Sequence, residues 1–366
     1  MRKVTLGGLF VFSVSALVAC GGDDLGGFRR GPAPAATDPE VVTPETQGPA
    51  ANPSAPACSG VADPIAVAVN AGATDVRFVR DEVYFRDGLQ VSRVKKDGTG
   101  RADVYASNDL VRSFADEDVL VTIESPNAPD AVLKLMPVTG AGAGPLDLKP
   151  IAQTVATNWT AAGSYVFASD KTSLYVMADV ANQGDSIYRV EKQNLQNMTL
   201  LAALQAPITD PQLAGSDVWF VRDQKRVYRI AQAAYDPTLE ERPTPQPATE
   251  VFGIGYADCK LAVSSKHAFC STGKALEQRD LSGGNLKTVL DGAAVLGSAI
   301  TASDQVLVRS LPSSPTDALK HGIRAVKADG TSTVVACGRE TIEAIAADAS
   351  SVVWAEKGKG VFVAPR

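Results

Sequence analysis

From residue 80 onward, short apolar runs alternate with polar turns, and the pattern returns about every 45 residues. The most legible copy is Asp81-Glu82-Val83-Tyr84-Phe85, followed by Val91-Ser92-Arg93-Val94-Lys95-Lys96-Asp97-Gly98. It reads as a β hairpin. The first hairpin strand recurs as Val119-Leu120-Val121, Leu174-Tyr175-Val176, Val218-Trp219-Phe220, Ala268-Phe269-Cys270, Val306-Leu307-Val308 and Val352-Val353-Trp354. These runs are apolar at successive positions, which predicts strands packed on both faces. Turn formers precede them: Asp81, Asp116, Asp170, Ser216-Asp217, Ser265, Asp304 and Ser350-Ser351. Asp and Ser side chains bond their own backbone and so start turns.

The second hairpin strand sets a basic residue after an apolar one. Arg93, Lys134, Arg189, Arg229 and Arg279 share that place, while the sixth copy has Ala325 there and Arg324 one residue early. A rim or inter-unit ion pair is the expected role for these cations. Each unit also has an inner strand before the hairpin, at 75–79, 111–115, 162–168, 209–214, 259–263, 297–302 and 342–347. Outer strands follow it at 102–106, 146–151, 198–204, 249–253, 286–290 and 332–336. The last unit lacks an outer strand, and Pro64-Ile65-Ala66-Val67-Ala68-Val69 is free to supply it. The reading is therefore all-β. It is a seven-bladed β-propeller of four-stranded antiparallel blades, closed by an N-terminal strand in the last blade, which removes exposed edges.

The start of the chain is different. Met1-Arg2-Lys3 is basic, and residues 4–19 are uncharged and mostly apolar. That is the layout of a secretory signal peptide, too short for a spanning helix. It ends in Leu17-Val18-Ala19-Cys20, which resembles the bacterial lipobox. The resemblance implies lipid on Cys20 and retention at a membrane, each buried methylene contributing roughly 0.8 kcal/mol. Gly21 after it resembles outer-membrane sorting rather than inner-membrane retention. The rest of 20–57 is rich in Gly, Pro and Ala and has no hydrophobic period. It cannot bury enough apolar surface to offset its ordering entropy and reads as a disordered tether. The head is then 58–366.

Composition narrows the chemistry. The formal net charge is −6 and there is no dense basic run, which argues against nucleic acid as a partner. Four cysteines follow Cys20: Cys58, Cys259, Cys270 and Cys337. An even number in an exported chain favours disulfides. Cys259 and Cys270 flank Ser264-Ser265 at equal distance, which predicts a pair across adjacent strands and leaves Cys58 with Cys337 as a staple of the closure. His267 and His321 stand apart near turns, so they read as solvated loop residues rather than metal ligands. Ser92 and Lys95 match Ser-x-x-Lys, but on a strand they point to opposite faces. Asp97-Gly98-Thr99 and Asp116-Glu117-Asp118 lack the ligand ladder of a calcium loop and read as turns. Gly140-Ala141-Gly142-Ala143-Gly144 reads as a turn without a phosphate-binding partner. No catalytic residue, metal or cofactor is assigned. Three segments break the repeat, at 124–131, 235–248 and 310–322, and they do not share one rim.

The units resemble the Asp-x-x-x-Val-Tyr-Trp and Ile-x-Arg-Val-x-x-Asp-Gly repeats of bacterial propeller lipoproteins, over about residues 60–366. The resemblance implies a lipid-anchored module outside the cytoplasm, at the outer membrane in preference to the inner. It would act as a non-catalytic scaffold for an envelope protein or polysaccharide. The competing expectation is a propeller-type lyase or hydrolase with its site in the central funnel.

Overall fold

In the computed structural model, residues 61–366 are described except 70, 129, 140–146, 149–150, 181–183, 204–206, 224, 232–247, 255–258, 273–274, 292, 301–303, 311–321 and 340. The signal peptide, Cys20, the tether, Cys58, His321, the 140–144 glycine run and most of the 235–248 and 310–322 segments lie outside the described residues.

The described chain is all strand and turn. It begins with β1 (Ile65–Val69), β2 (Ala73–Val79), β3 (Glu82–Asp87), β4 (Gln90–Lys95) and β5 (Ala102–Ala106). Next come β6 (Leu110–Ala115), β7 (Val119–Asn127), β8 (Asp130–Thr139), β9 (Asp147–Leu148), β10 (Gln153–Ser169), β11 (Ser173–Val180), β12 (Gly184–Glu191) and β13 (Met198–Ala203). They are followed by β14 (Ile208–Ala214), β15 (Asp217–Arg222), β16 (Arg226–Ala231), β17 (Thr249–Gly253), β18 (Lys260–Val263), β19 (His267–Ser271), β20 (Ala275–Asp280) and β21 (Lys287–Asp291). The last are β22 (Ala293–Ile300), β23 (Gln305–Ser310), β24 (Gly322–Lys327), β25 (Ser332–Ala336), β26 (Ile342–Ala347), β27 (Ser351–Glu356) and β28 (Gly360–Pro365).

Hydrogen bonding sorts these strands into antiparallel four-stranded sheets in chain order: β2 to β5, β14 to β17, β18 to β21 and β22 to β25. A fifth has the order β1-β28-β27-β26, so the N-terminal strand pairs with the C-terminal one, Ile65 facing Val363 and Val69 facing Gly360. The sixth sheet has eight strands and joins two repeats. Of the predicted outer strand at 146–151, the described residues include β9, two residues long and paired with the end of β8. Its place on β8 is taken by the first half of β10, with Gln153 facing Leu135 and Ala156 facing Val132. The reason is local. Residues 153–160 carry Thr and Val at strand spacing, whereas 140–150 includes three Gly and two Pro, which disfavour a strand. The predicted break at 124–131 is also mostly strand, since β7 and β8 run on until Asn127 faces Asp130.

The middle strands are buried on both faces. Val83, Tyr84 and Phe85 of β3, Val218, Trp219 and Phe220 of β15, and Val352, Val353 and Trp354 of β27 are almost wholly enclosed. Each such side chain contributes roughly 1.5–3 kcal/mol by leaving water. The apolar clusters run between sheets. Trp219 and Phe252 pack on Leu261 and Cys270, and Leu307 and Ile323 pack on Val352 and Trp354. Val353 and Val361, near the end of the chain, pack on Val83 and Phe85 near its start.

The repeated cations mostly bond within their own sheet, which corrects the inter-unit expectation. Arg93 Nη1 lies 2.6 Å from Glu82 Oε1, Lys134 Nζ lies 2.6 Å from Glu124 Oε2, and Arg189 Nε donates to Ser173 Oγ at 2.8 Å. Arg229 lies 3.6 Å from Asp217, and Arg279 donates to the Gly283 carbonyl at 3.1 Å. Antiparallel pairing puts the third strand's cation diagonally across from a polar residue on the second strand. Lys96 with Asp348 at 2.6 Å joins two sheets, and Lys192 with Asp116 at 2.7 Å joins the two repeats within the eight-stranded sheet.

Gly360 opens β28 with φ 128°, a region that L side chains rarely adopt. A Cβ there would also overlap the carbonyl oxygen of Ala68 in β1. Gly360→Ala should therefore cost roughly 2–4 kcal/mol by loosening the β1–β28 pair. Urea unfolding monitored by Trp fluorescence measures it, and an unchanged midpoint would refute this role.

Candidate functional site

The polar groups that a ligand could reach come from the first strand of the sheets, through a shared irregularity. On β2 the register with β3 slips between Thr74 and Arg77, and on β14 the register with β15 slips between Thr209 and Gln212. One slips on β6 between Leu110 and Arg112, and one on β26 between Ile342 and Ala344. Each slip inserts one extra residue, and a bulge of this kind re-aims side chains. Asp75 and Asp210 occupy the bulges of β2 and β14 with φ 55° and 50°, a left-handed conformation that Asp tolerates better than most residues. Glu343 is the extra residue on β26.

These residues line a cavity of about 600 Å3, together with Arg77, Arg112, Tyr165 and Gln212. Strands β2, β6, β10, β14, β18 and β26 all contribute to its wall. Asp75 accepts from Arg86 Nε at 2.9 Å and from the Ser113 amide at 3.2 Å, and Arg112 Nη1 stands 3.8 Å away. Asp210 sits 3.6 Å from Lys260 Nζ. Gln212 ties β14 to β18: its Oε1 accepts from the Val263 amide at 2.9 Å, and its Nε2 donates to the Leu261 carbonyl. Arg77 reaches across β6 to β10, with its guanidinium over the Phe114 ring at 4.0 Å and Nη2 donating to the Phe167 carbonyl at 3.3 Å.

Burial sets the ionisation of this wall. It raises Asp210 above the ordinary carboxylate range, with Lys260 opposing. It raises Tyr165, and the negative charges of Asp210 and Asp185 add to that. It lowers Arg77 to about 10, with Asp75 and Asp116 pulling the other way. Arg77 is still a cation at neutral pH. Asp185 is raised by burial first, and facing Asp179 directly across the β11–β12 hairpin raises it further.

The sequence-predicted positions fall elsewhere. Cys259 and Cys270 are joined in a disulfide with Cα atoms 5.3 Å apart, buried in the apolar cluster between two sheets. They are not directly opposite, because Cys270 faces Leu261. The turn is centred one residue later than Ser264-Ser265, so Cys259 reaches its partner diagonally on the same face. Cys337 is buried and disulfide-bonded. His267 is not a solvated loop residue. It opens β19, is only 22% exposed, packs edge-on to Phe269, and has Nδ1 3.7 Å from Asp304 Oδ2. Ser92 is buried and donates to Asp103 Oδ1 at 2.6 Å, and Lys95 is exposed. Asp97 and Asp116 close turns, accepting from the Thr99 amide and from the Asp118 and Val119 amides, each at 2.9 Å. Among the described residues no three His, Cys, Asp or Glu converge on one point.

Sequence reasoning missed Asp75, Arg77, Arg112, Tyr165, Asp210, Gln212 and Glu343. A signal for two of them was present. Thr74-Asp75 and Thr209-Asp210 put the same dipeptide in corresponding inner strands. An Asp that interrupts a strand is an Asp held in a bulge.

No protein-family model and no curated protein matches the chain. Solved structures do. The WD40 β-propeller domain of Doa1 is 11% identical with TM-score 0.52, covering 82% of this chain and 96% of that one. The β-propeller domain of Cps50 (Swd1) from Myceliophteria thermophila is 10% identical with TM-score 0.51, covering 84% and 99%. PorZ is described as an essential bacterial surface component of the type-IX secretion system of Porphyromonas gingivalis. It is 9% identical with TM-score 0.51, over 80% of this chain. The chain spans only 36% of the length of PorZ. At these identities the likeness establishes the β-propeller fold.

Asp210 generates a pH prediction. Its carboxyl is protonated more readily in the folded protein than in the unfolded chain. The folded state thus binds more protons just above the ordinary carboxylate value of 3.8, and stability falls as pH rises through that window. Asp210→Asn should therefore melt at a higher temperature than the parent at pH 7. The advantage should vanish below about pH 4, where the carboxyl is protonated in both states. Melting curves by circular dichroism decide it, and a lower Tm for the variant at pH 7 contradicts the assignment.

Proposed function

We propose that this chain is a lipid-anchored, extracytoplasmic seven-bladed propeller that binds a partner at the cell envelope and performs no chemistry. The eight-stranded sheet counts as two blades joined through β8 and β10. With it the sheets add up to seven four-stranded units. The β1–β28 pairing and the packing of Val353 and Val361 on Val83 and Phe85 support a ring closed by the N-terminal strand.

The observation that carries the binding reading is the state of the cavity's carboxylates. A funnel lyase or hydrolase would need a free general base there. Asp75 is instead held by Arg86, Arg112 and the Ser113 amide, and Asp210 by Lys260, which leaves Glu343, exposed and with no hydrogen-bonded neighbour among the described residues to orient it as a base. The buried Cys259–Cys270 disulfide supports an oxidising compartment outside the cytoplasm. PorZ is a bacterial surface component with the same fold, so a propeller is compatible with that location. The anchor is Cys20, the outer membrane is its destination, and 20–57 is the tether. An envelope protein or polysaccharide is the partner, and nucleic acid is not.

Anchoring has a direct test. Cys20→Ala should move the full-length protein from the membrane fraction to the soluble one, and mass spectrometry of the parent should find acyl chains on the N-terminal peptide. An unmodified Cys20 would remove the anchor from the proposal. Crosslinking of the anchored protein in its own cells tests the partner, and recovery of none counts against the scaffold.

Cys58 with Cys337 is the proposed staple of the ring. Cys337 is disulfide-bonded, and Cys259 and Cys270 already hold each other. Peptide mapping without reductant should yield a peptide joining Cys58 to Cys337. Recovery of Cys58 as a free, alkylated thiol would exclude the staple.

A further inference from the structure

Arg77 stands where two cavities meet. It lines the cavity of about 600 Å3 and also a second of about 340 Å3, walled by Phe78, Phe114, Phe167 and Leu213 among others. A guanidinium carries five N–H donors in a planar fork. Arg77 uses one of them, toward the Phe167 carbonyl, and rests its face on the Phe114 ring. Among the described residues no carboxylate oxygen lies within 4.0 Å of it, and Asp75 and Asp116 act on it only at longer range. Among the described residues the two fully buried cations are paired, Arg339 with Glu356 at 3.0 Å and Lys192 with Asp116 at 2.7 Å, whereas Arg77 is half-buried at the cavity wall. A half-buried guanidinium without a counter-ion keeps donors free for a ligand that enters the cavity.

The wall around it restricts what could be that partner. We infer that Arg77 anchors the carboxylate of a small organic acid that carries hydrogen-bond donors at its other end. The planar fork matches a planar carboxylate. One unpaired cation balances one negative charge. Asp75, Asp210 and Glu343 in the same wall would repel a second, so a phosphate dianion is disfavoured. Glu343, the carboxylate of the wall that no neighbouring group holds, accepts from hydroxyl or ammonium groups. Glu343 is exposed at the wall, and Tyr165 and Gln212 add further polar edges. A cavity of about 600 Å3 lies in the usual range for small-molecule sites.

This inference rests on the reading of the chain as a binding module and gives its cavity a ligand class. Isothermal titration of the full-length protein in detergent micelles, with glucuronate, alanine and inorganic phosphate as separate probes, tests it. Saturable binding of glucuronate or alanine is expected. The stronger of the two identifies hydroxyl or ammonium groups as the donors. Arg77→Gln should weaken that binding roughly tenfold or more, and Arg77→Lys should keep an intermediate affinity. The Tm of Arg77→Gln should equal or exceed that of the parent, because an unpaired charge has been removed; a purely structural arginine would give a lower one. Lack of saturation with both carboxylates, an unchanged affinity in Arg77→Gln, or tighter binding of phosphate overturns the inference. Membrane fractionation of the same cells reads the anchor separately. Lost carboxylate binding with retained anchoring therefore sinks this inference and leaves the scaffold reading standing.

Discussion

The second strand of each sheet has neighbours above and below as well as on both edges. A strand in that position presents mostly packing surface, and the acids it carries, Glu82, Glu124 and Glu356, are buried against cations. Val83-Tyr84-Phe85, Val218-Trp219-Phe220 and Val352-Val353-Trp354 are accordingly enclosed, and their side chains knit each sheet to the next. Everything else in the molecule follows from that constraint. Polar groups are displaced to the turns, to the third strands, and to the first strands where the packed faces give out.

The third-strand cations show how the displacement is managed. Arg93, Lys134 and Arg189 lie beside the hydrophobic layer, where an unpaired charge would be costly, and each finds a polar partner in its own sheet. Between the last two sheets the solution is more elaborate. Glu356, fully buried, accepts from Arg339 and from Trp354 Nε1 at 2.8 Å, while the Arg339 guanidinium lies over the Trp354 and Phe362 rings. These groups hold sheets together, and their regularity belongs to architecture. Arg77 differs in reaching from its own sheet to two strands of the next, over the Phe114 ring of β6 and to the Phe167 carbonyl of β10.

The first strands carry the reachable chemistry because their ladders are broken. A regular strand alternates its side chains between two faces, both of which are packed here. The extra residue in β2, β14 and β26 interrupts that alternation and brings Asp75, Asp210 and Glu343 to the cavity wall. The same device on β6 brings Arg112 to it. The disulfide at Cys259 and Cys270 was placed from its spacing alone, and the pair formed, although one residue out of the expected register. Hairpin geometry tolerates that shift because diagonal neighbours on one face are still within bonding reach.

How much was legible depended on how local the cause was. The hairpins, their turn aspartates and the place of β1 could be read from the chain. Apolar runs between turn formers define strands by short-range chemistry, and an unused strand has to cover an open edge. The merged sheet was not legible, because β10 runs on past its own sheet to pair with β8, a choice between two candidate segments. The cavity wall was legible least of all. Asp75, Arg77, Arg112, Tyr165, Asp210, Gln212 and Glu343 come from five strands far apart in the chain, β2, β6, β10, β14 and β26. Only the packing of the sheets against one another brings them to one space, and a sum of charges over that space has no counterpart in the linear order of residues.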